Sequence, residues 1–501
     1  MTIVCPIDVK CANEISALLQ PVHPHQFQDY FDELIKRSGN GIHVILNGNF
    51  GKGVHASIDF QKGEPVLKDE MLVGVQHASN KMDCLVCSFC FRFIGSVELQ
   101  IGRRLYFQSL GNYGNKALGD CSSAMTYEDK KHSHFNDDRV KDNRKIKPNF
   151  PEEAVQSLLN GTISLPYSSK FSSPSLVPCN GGCKEAYYCS ELCAKRDWDA
   201  SHSLLCAGDE SKREALNDFM QHANGETLTL LLHSLFCYIF LCIFLETNDI
   251  FHLAAKAISS TILRYKRLKN THPGENLFSL LLEAWKPFSC GYKKRWWECI
   301  SLPDDVESSE ESAFRKDVKD LAFTSLKLLK AAIFYQECEP LFSLEVYGSI
   351  IGMFELNNLD LVVASPVEDY FLFIDELPQK EKKETEKVTR AIFEAIEDYS
   401  VGCEGTAFYS LQSCMNHSCC PNAQAFKREE DRDGRAVVVS LKPILKGQQI
   451  MDSSANVKDV YENPSNHFLL INVYLFAINV LIYMSFFLIS LTSLNLIITK
   501  K

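Results

Sequence analysis

Positive charge is in short supply. The chain carries 52 Lys and Arg against 63 Asp and Glu, a net charge of −11, whereas binding along a nucleic-acid backbone needs a concentrated positive field. A nucleic-acid coat is excluded on that ground, and no direct nucleic-acid signature is present. An acidic protein of this kind is compatible with a basic peptide as its partner. The N-terminus, Met1-Thr-Ile-Val-Cys-Pro-Ile-Asp8, lacks a basic run leading into an apolar core, so no signal peptide is expected. No repeat of solenoid period is found. With 46% hydrophobic and 23% charged residues, the chain is neither mainly disordered nor fibrous. Its 501 residues predict about three domains.

Cysteine is abundant, at 20. Without secretion, closely spaced cysteines bind metal more often than they form disulfides, and the chain reads as intracellular and reduced. The principal constellation is Cys179-x3-Cys183-x5-Cys189-x3-Cys193-x8-His202-x3-Cys206. A tetrahedral zinc shell takes four N or S donors, and these six do not complete two shells. Cys87-x2-Cys90 supplies the missing pair. The eight donors suffice for two zinc ions, both structural, because no position stays open for water or substrate. Cys84, next to a complete pair, reads as an ordinary buried thiol.

Residues 42–75 read as strands, with Val54, Ala56, Ile58 and Phe60 alternating with polar residues and Lys62-Gly63-Glu64 forming a turn. Residues 126–154 have the composition of a solvated loop. Helical patterns dominate 208–400: Ile258, Ile262 and Tyr265 share one face, as do Phe314, Val318, Leu321, Leu328 and Ala332. The acidic run Asp304–Glu311 reads as an outer loop. Strand signals return at 423–426 and 435–441. Two apolar stretches stand apart, Leu228–Leu245 and Phe468–Ile498. The second exceeds the roughly 20 residues that cross a bilayer, so membrane contact, if the chain has any, runs through the C-terminal tail.

The second diagnostic string is Asn416-His-Ser-Cys-Cys-Pro-Asn422. Gly405-Thr-Ala-Phe-Tyr409 precedes it and Leu441-Lys-Pro-Ile-Leu-Lys-Gly447 follows it, with Gly51-Lys-Gly-Val-His-Ala56 far upstream. In this order the pieces resemble the SET domain of protein-lysine methyltransferases. Tyr188-Cys189-Ser190, Cys193, Trp198, His202 and Cys206 look like the second half of a MYND-type zinc finger, and Cys87-Ser-Phe-Cys90-Phe91 like its opening. Over roughly residues 40–450 the chain is similar to the SET-and-MYND branch and, within it, to the plant trithorax-related histone-lysine methyltransferases.

The resemblance implies an α+β fold: a strand-rich split SET core with an inserted zinc-binding finger and a helical insertion. The expected divisions are an N-terminal extension (1–40), the first SET part (41–83), the split finger with a long insertion (84–206), a helical region (207–400), the second SET part (401–450) and an atypical tail (451–501). The resemblance also implies interleaved ligands, with Cys87, Cys90, Cys189 and Cys193 on one zinc and Cys179, Cys183, His202 and Cys206 on the other. The cofactor implied is S-adenosylmethionine. Lys52 and Gly53 would contact it through the main chain, where Gly51 and Gly53 let the backbone come close, and Asn416 and His417 would hold its amino-acid and adenine portions. Tyr409 would line the lysine pocket as a catalytic residue. The implied partners are a histone tail, expected to be that of H3, or another lysine-bearing protein, together with chromatin-associated proteins; the implied location is the nucleus.

Two departures from the family pattern are visible. Where the family places an apolar strand ending in Ser-Tyr, this chain reads Met451-Asp-Ser-Ser, and no cysteine follows Cys420, so Cys419 completes no further zinc site. A catalytically silent zinc-finger interaction module therefore stays open as the alternative. A membrane crossing at 228–245 would leave Gly51 and Asn416 on opposite sides of the bilayer, so that stretch is not expected to span. Both apolar stretches read as foreign to the family fold.

Overall fold

The computed structural model describes residues 5–110, 150–224 and 249–452, apart from 21–23, 39–40, 49–50, 292, 303–305, 307–308, 397–398, 426 and 428–429. Both apolar stretches, and most of the 126–154 loop, lie outside the described residues. No helix among the described residues is long and apolar enough to cross a membrane.

Among the described residues, twelve strands form three small sheets and one hairpin: β1 (Ile42–Gly48), β2 (Gly51–Ala56), β3 (Pro65–Asp69), β4 (Met71–Gln76), β5 (Val177–Pro178), β6 (Tyr187–Tyr188), β7 (Leu359–Val363), β8 (Cys403–Tyr409), β9 (Asn416–His417), β10 (Ala423–Ala425), β11 (Ala436–Ser440) and β12 (Gln449–Asp452). The sheet orders are β1-β2-β12-β9, β10-β11-β3 and β4-β8-β7, with β5 and β6 paired alone. Each three- or four-stranded sheet thus joins a strand from the first 76 residues to one from beyond residue 402. No three- or four-stranded sheet is complete without strands from both regions.

The period-two reading of 54–60 holds at Val54, Ala56 and Phe60, which are buried, but Ile58 is 51% exposed because β2 ends at Ala56. Phe60 re-enters through a bridge to Ile444. Helix Asp249–Thr271 buries the expected Ile258, Ile262 and Tyr265. Its Lys256 ammonium donates to the Gly74 carbonyl at 2.7 Å, fastening the helix to β4. In helix Glu311–Ile333 the stripe is shifted. Phe314, Val318 and Ala332 are buried as expected, but Ala322, Leu326 and Leu329 take the innermost places, leaving Leu321 and Leu328 half-buried. A small residue at 322 lets the neighbouring helix approach on that side.

The described residues of the N-terminal extension, 5–20 and 24–38, are built into the protein. Asp8 accepts from the amides of Leu344 (2.8 Å) and Glu345 (3.4 Å), capping helix Leu344–Asn357. The Trp285 indole donates to the Leu18 carbonyl at 2.9 Å. Helix Pro24–Ser38 then lays Phe27, Phe31 and Ile35, one turn apart, against Ile42, Val44 and Val54. Burying one such phenylalanine contributes about 1.5–3 kcal/mol, so the extension stabilises the sheet that carries Gly51–Gly53.

Candidate active site and metal centres

Strand β12 brings the distant loops together. It runs antiparallel to β2, pairing Gln449 with His55 and Ile450 with Val54, and parallel to β9, pairing Met451 with Asn416 and Asp452 with His417. The Asn416 side chain then donates across to the Lys52 carbonyl at 2.8 Å. Residues 51–53 and 416–417, the two segments expected to meet, are neighbours, and the space beside them is the candidate cleft.

The two asparagines of the 416–422 string do different work. Asn422 is 6% exposed; its amide donates to the Gln449 carbonyl and its oxygen accepts from the Met451 amide, both at 2.8 Å. It therefore stitches β12 into place, while Asn416, half-buried, faces the cleft. The sequence string contained Asn422, but nothing in the string alone separates a strand-holding amide from a cleft-facing one.

The glycines also divide. Gly51 has φ +78° with open space where a Cβ would stand, so the turn requires glycine. At Gly53 a Cβ would fall 2.6 Å from Gln449 Nε2. The expected close approach at Gly53 is made by this chain's own side chain.

Tyr409 is held on the far side of β8. It is 1% exposed, packs with Cys84, Phe91 and Ala436, and its hydroxyl donates to the Gly434 carbonyl at 2.5 Å. The Gly434 amide in turn donates to the Cys90 carbonyl at 2.7 Å. The phenol thus links the SET strand to the finger, and burial pushes its pKa up. Its one proton is already placed on protein.

Beneath the cleft lies a carboxylate that sequence reading did not single out. Asp69, 1% exposed at the end of β3, accepts from the Leu411 (2.8 Å) and Gln412 (3.0 Å) amides and so holds the turn that leads into Asn416. Burial pushes its pKa up to about 7 against the lowering effect of those two hydrogen bonds. The native state therefore holds a proton that the unfolded state releases near pH 3.8. The stabilising contribution is complete below that pH and is lost as pH rises toward 7. Asp69→Asn should remove this slope: in urea titrations from pH 5 to 7, the variant gains on wild type by up to about 1.4 kcal/mol per pH unit. A constant difference across that range would contradict the assignment.

The finger's eight donors gather into two groups. Cys87, Cys90, Cys189 and Cys193 form one, and Cys179, Cys183, His202 and Cys206 the other, with the ligand atoms of each within 4.8 Å of one another. In the first group the Cys90–Cys189 and Cys189–Cys193 sulfurs are 3.6 and 3.4 Å apart. In the second, His202 Nε2 lies 3.2 Å from Cys179 Sγ and 3.3 Å from Cys183 Sγ. Local chemistry explains the placement. Ser190 caps helix Glu191–Asp197 by accepting from the Cys193 amide at 3.2 Å, which fixes Cys189 and Cys193 one turn apart. The 87–90 knuckle is pinned to β6 by Ser88, whose amide donates to the Tyr187 carbonyl at 2.8 Å. Four soft donors at such spacing suit zinc. Cys84 stands outside both groups, its thiol donating to the Gly402 carbonyl at 3.1 Å, as expected of a core cysteine.

The residues around the cleft also fit a polar nucleoside. His417 Nδ1 and Gln412 Oε1 are buried without a hydrogen-bond partner, groups that a ligand with donors and acceptors would satisfy.

Comparison with known proteins agrees with this geometry. A SET domain model matches residues 290–453 and a MYND finger model matches residues 168–206. The histone-lysine N-methyltransferase ATXR2 of Arabidopsis thaliana is 55% identical over 456 residues, 88% of this chain and 91% of that protein. The chain belongs to the SET-domain lysine methyltransferases that carry a MYND finger. Its activity class is S-adenosylmethionine-dependent methyl transfer to protein lysine. A more distant member, the protein-lysine N-trimethyltransferase SMYD5 of Gallus gallus, is 26% identical over 168 residues, 31% of this chain and 39% of that protein. The α+β expectation is met, with finger and helices inserted in a split SET core. Neither family match includes Cys87, Cys90 or Gly51–Gly53, which the fold brings to the matched segments.

Proposed function

We propose that the cleft between Gly51–Gly53 and Asn416–His417 holds S-adenosylmethionine, that two zinc ions occupy the finger, and that the methyl acceptor is a lysine on a histone tail. The observation that carries this reading is the Asn416–Lys52 hydrogen bond, which closes the cleft from two segments 364 positions apart. The histone substrate follows from the relationship to ATXR2, and nuclear action follows from that substrate. The acidic net charge of −11 favours a basic tail.

When bound, the cofactor supplies an electrophilic methyl on a sulfonium. The chain's own contribution is alignment. Asn416 offers its amide group and Lys52 its main chain to the amino-acid end, and His417 lies where an adenine edge can meet its peptide groups. The target amine must lose a proton before attack, since a free lysine titrates near 10.4. Hydroxyl and carbonyl oxygens that orient a neutral amine do this best. Tyr409 is not free for that task while it donates to Gly434, and the sequence has no tyrosine from 410 to 452.

That last observation favours a second reading, in which the chain binds the cofactor and transfers nothing. A radiolabelled transfer assay on zinc-loaded protein with histone H3 and with the other core histones separates the two. Label in H3 lysine is the expected result. Cofactor binding without label on any histone would refute transfer to histone by this chain.

A further inference from the structure

Two lysine side chains reach one turn from different elements, and among the described residues neither has a carboxylate in ion-pair range. Lys52 Nζ, from β2, donates to the Cys290 carbonyl. Lys293 Nζ donates to the Gly291 carbonyl at 3.3 Å. The acceptors are consecutive main-chain oxygens of the turn after helix Leu277–Ser289, so both cations converge on one short stretch. Other lysines are paired: the Lys68 ammonium is 2.8 Å from Asp431, and that of Lys269 is 2.6 Å from Glu337. Like charges brought near each other, each half-buried, repel. Burial first, with the Lys52 charge adding to it against the opposing Cys290 thiol, lowers Lys293 to about 7. Such a pair is a standing demand for an anion.

The anion that fits is a carboxylate. The Lys52 carbonyl is the one that Asn416 grips, so one residue joins the two lysine side chains to the segment proposed to hold the cofactor. S-adenosylmethionine carries a single anionic group, on its amino-acid end; its adenine and ribose have none. We infer that Lys293, from the helical insertion, joins Lys52 in receiving the cofactor's carboxylate and so selects an amino-acid-bearing nucleoside over a plain thionucleoside. This rests on the cofactor reading of the cleft. It adds a residue that sequence reading passed over, because Lys293 sits in a basic run, Lys293-Lys294-Arg295, typical of a solvated surface.

The test is a calorimetric titration of the zinc-loaded full chain with two probes. S-adenosylhomocysteine has the carboxylate; 5′-methylthioadenosine has the same adenine, ribose and thioether without it. Lys293→Met should weaken the first by about 10–100-fold, the range for a charge-assisted hydrogen bond, and leave the second unchanged. Lys293→Arg should restore most of the lost affinity. An equal loss for both probes, or no loss for either, would overturn the assignment while the cofactor reading stands. Wild-type protein that binds neither probe would overturn the cofactor reading and this assignment with it. Thermal melts establish that each variant is folded; Lys293→Gln replaces the methionine variant if that one is not.

Discussion

Cys206→Ser should lower the metal content of the purified protein from two zinc ions to one and unfold the second half of the finger. Cys206 is 2% exposed and packs with Cys179, Tyr188 and Ala194 around the knuckle, so a serine there leaves a buried hydroxyl and an incomplete shell. Structural zinc contributes on the order of 10–16 kcal/mol to the folding of isolated finger peptides at neutral pH. Part of that is at stake here, although Leu85, Ile94, Tyr188 and Trp198 also pack the finger. The effect should not stop at the finger. The Cys90 carbonyl accepts from the Gly434 amide, and the Gly434 carbonyl accepts from Tyr409 on β8, so losing the first metal group, as in Cys87→Ser, should loosen the SET sheet as well. Cobalt-substituted protein checks the pairing. Cys206→Ser should keep the spectrum of a site with four thiolate donors, and Cys87→Ser should keep that of a site with three thiolates and one imidazole. The same residual spectrum from both variants would contradict the two-group arrangement.

Asn416→Ala and Asn422→Ala should fail in different ways. Asn416 is half-buried and makes one bond across the cleft. Its loss should leave the fold within about 1 kcal/mol of wild type while reducing cofactor affinity by about 10–100-fold, since a polar ligand group loses its partner. Asn422 is buried and holds β12 through both ends of its amide. Its removal leaves the Gln449 carbonyl and the Met451 amide unpaired, at about 1–3 kcal/mol each, so the variant should unfold early in urea. Parallel urea titrations and cofactor binding measure the two effects. Equal destabilisation by both substitutions would show that the string acts only as scaffold.

The two variants also mark how far the sequence could be read. The two candidate metal groups were legible because thiolates and imidazoles at fixed spacing have few other uses. Their pairing, expected from the resemblance, is the grouping the fold makes, with Ser190 and Ser88 placing Cys189, Cys193 and the 87–90 knuckle side by side. The meeting of residues 51–53 with 416–417 was also anticipated, through resemblance. The strand that makes it happen was not: residues 449–452 look like the end of a truncated motif, yet Gln449 to Asp452 still pair on both sides. Backbone hydrogen bonding needs no particular side chain, so the strand survives without the Ser-Tyr ending. For Tyr409, position on a strand next to a motif suggested a pocket residue; the alternation of β8 sets its ring with Cys84 and Phe91 while Phe408 faces the helical core, a placement sequence alone does not give. Asp69 went unnoticed because a single buried charge leaves no periodic trace, and Lys293 because its basic run looks like a solvated surface. The N-terminal helices were read as an extension because their partners, Leu344 and Trp285, lie hundreds of positions away.

The account depends on one cleft receiving one nucleoside. Calorimetric titration of S-adenosylhomocysteine into the zinc-loaded full chain, beside Asn416→Ala shown to be folded, tests that claim most directly. One molecule bound per chain by wild type, with affinity reduced at least tenfold in the variant, is the predicted result. No binding by folded wild type, or equal binding by both proteins, would contradict it.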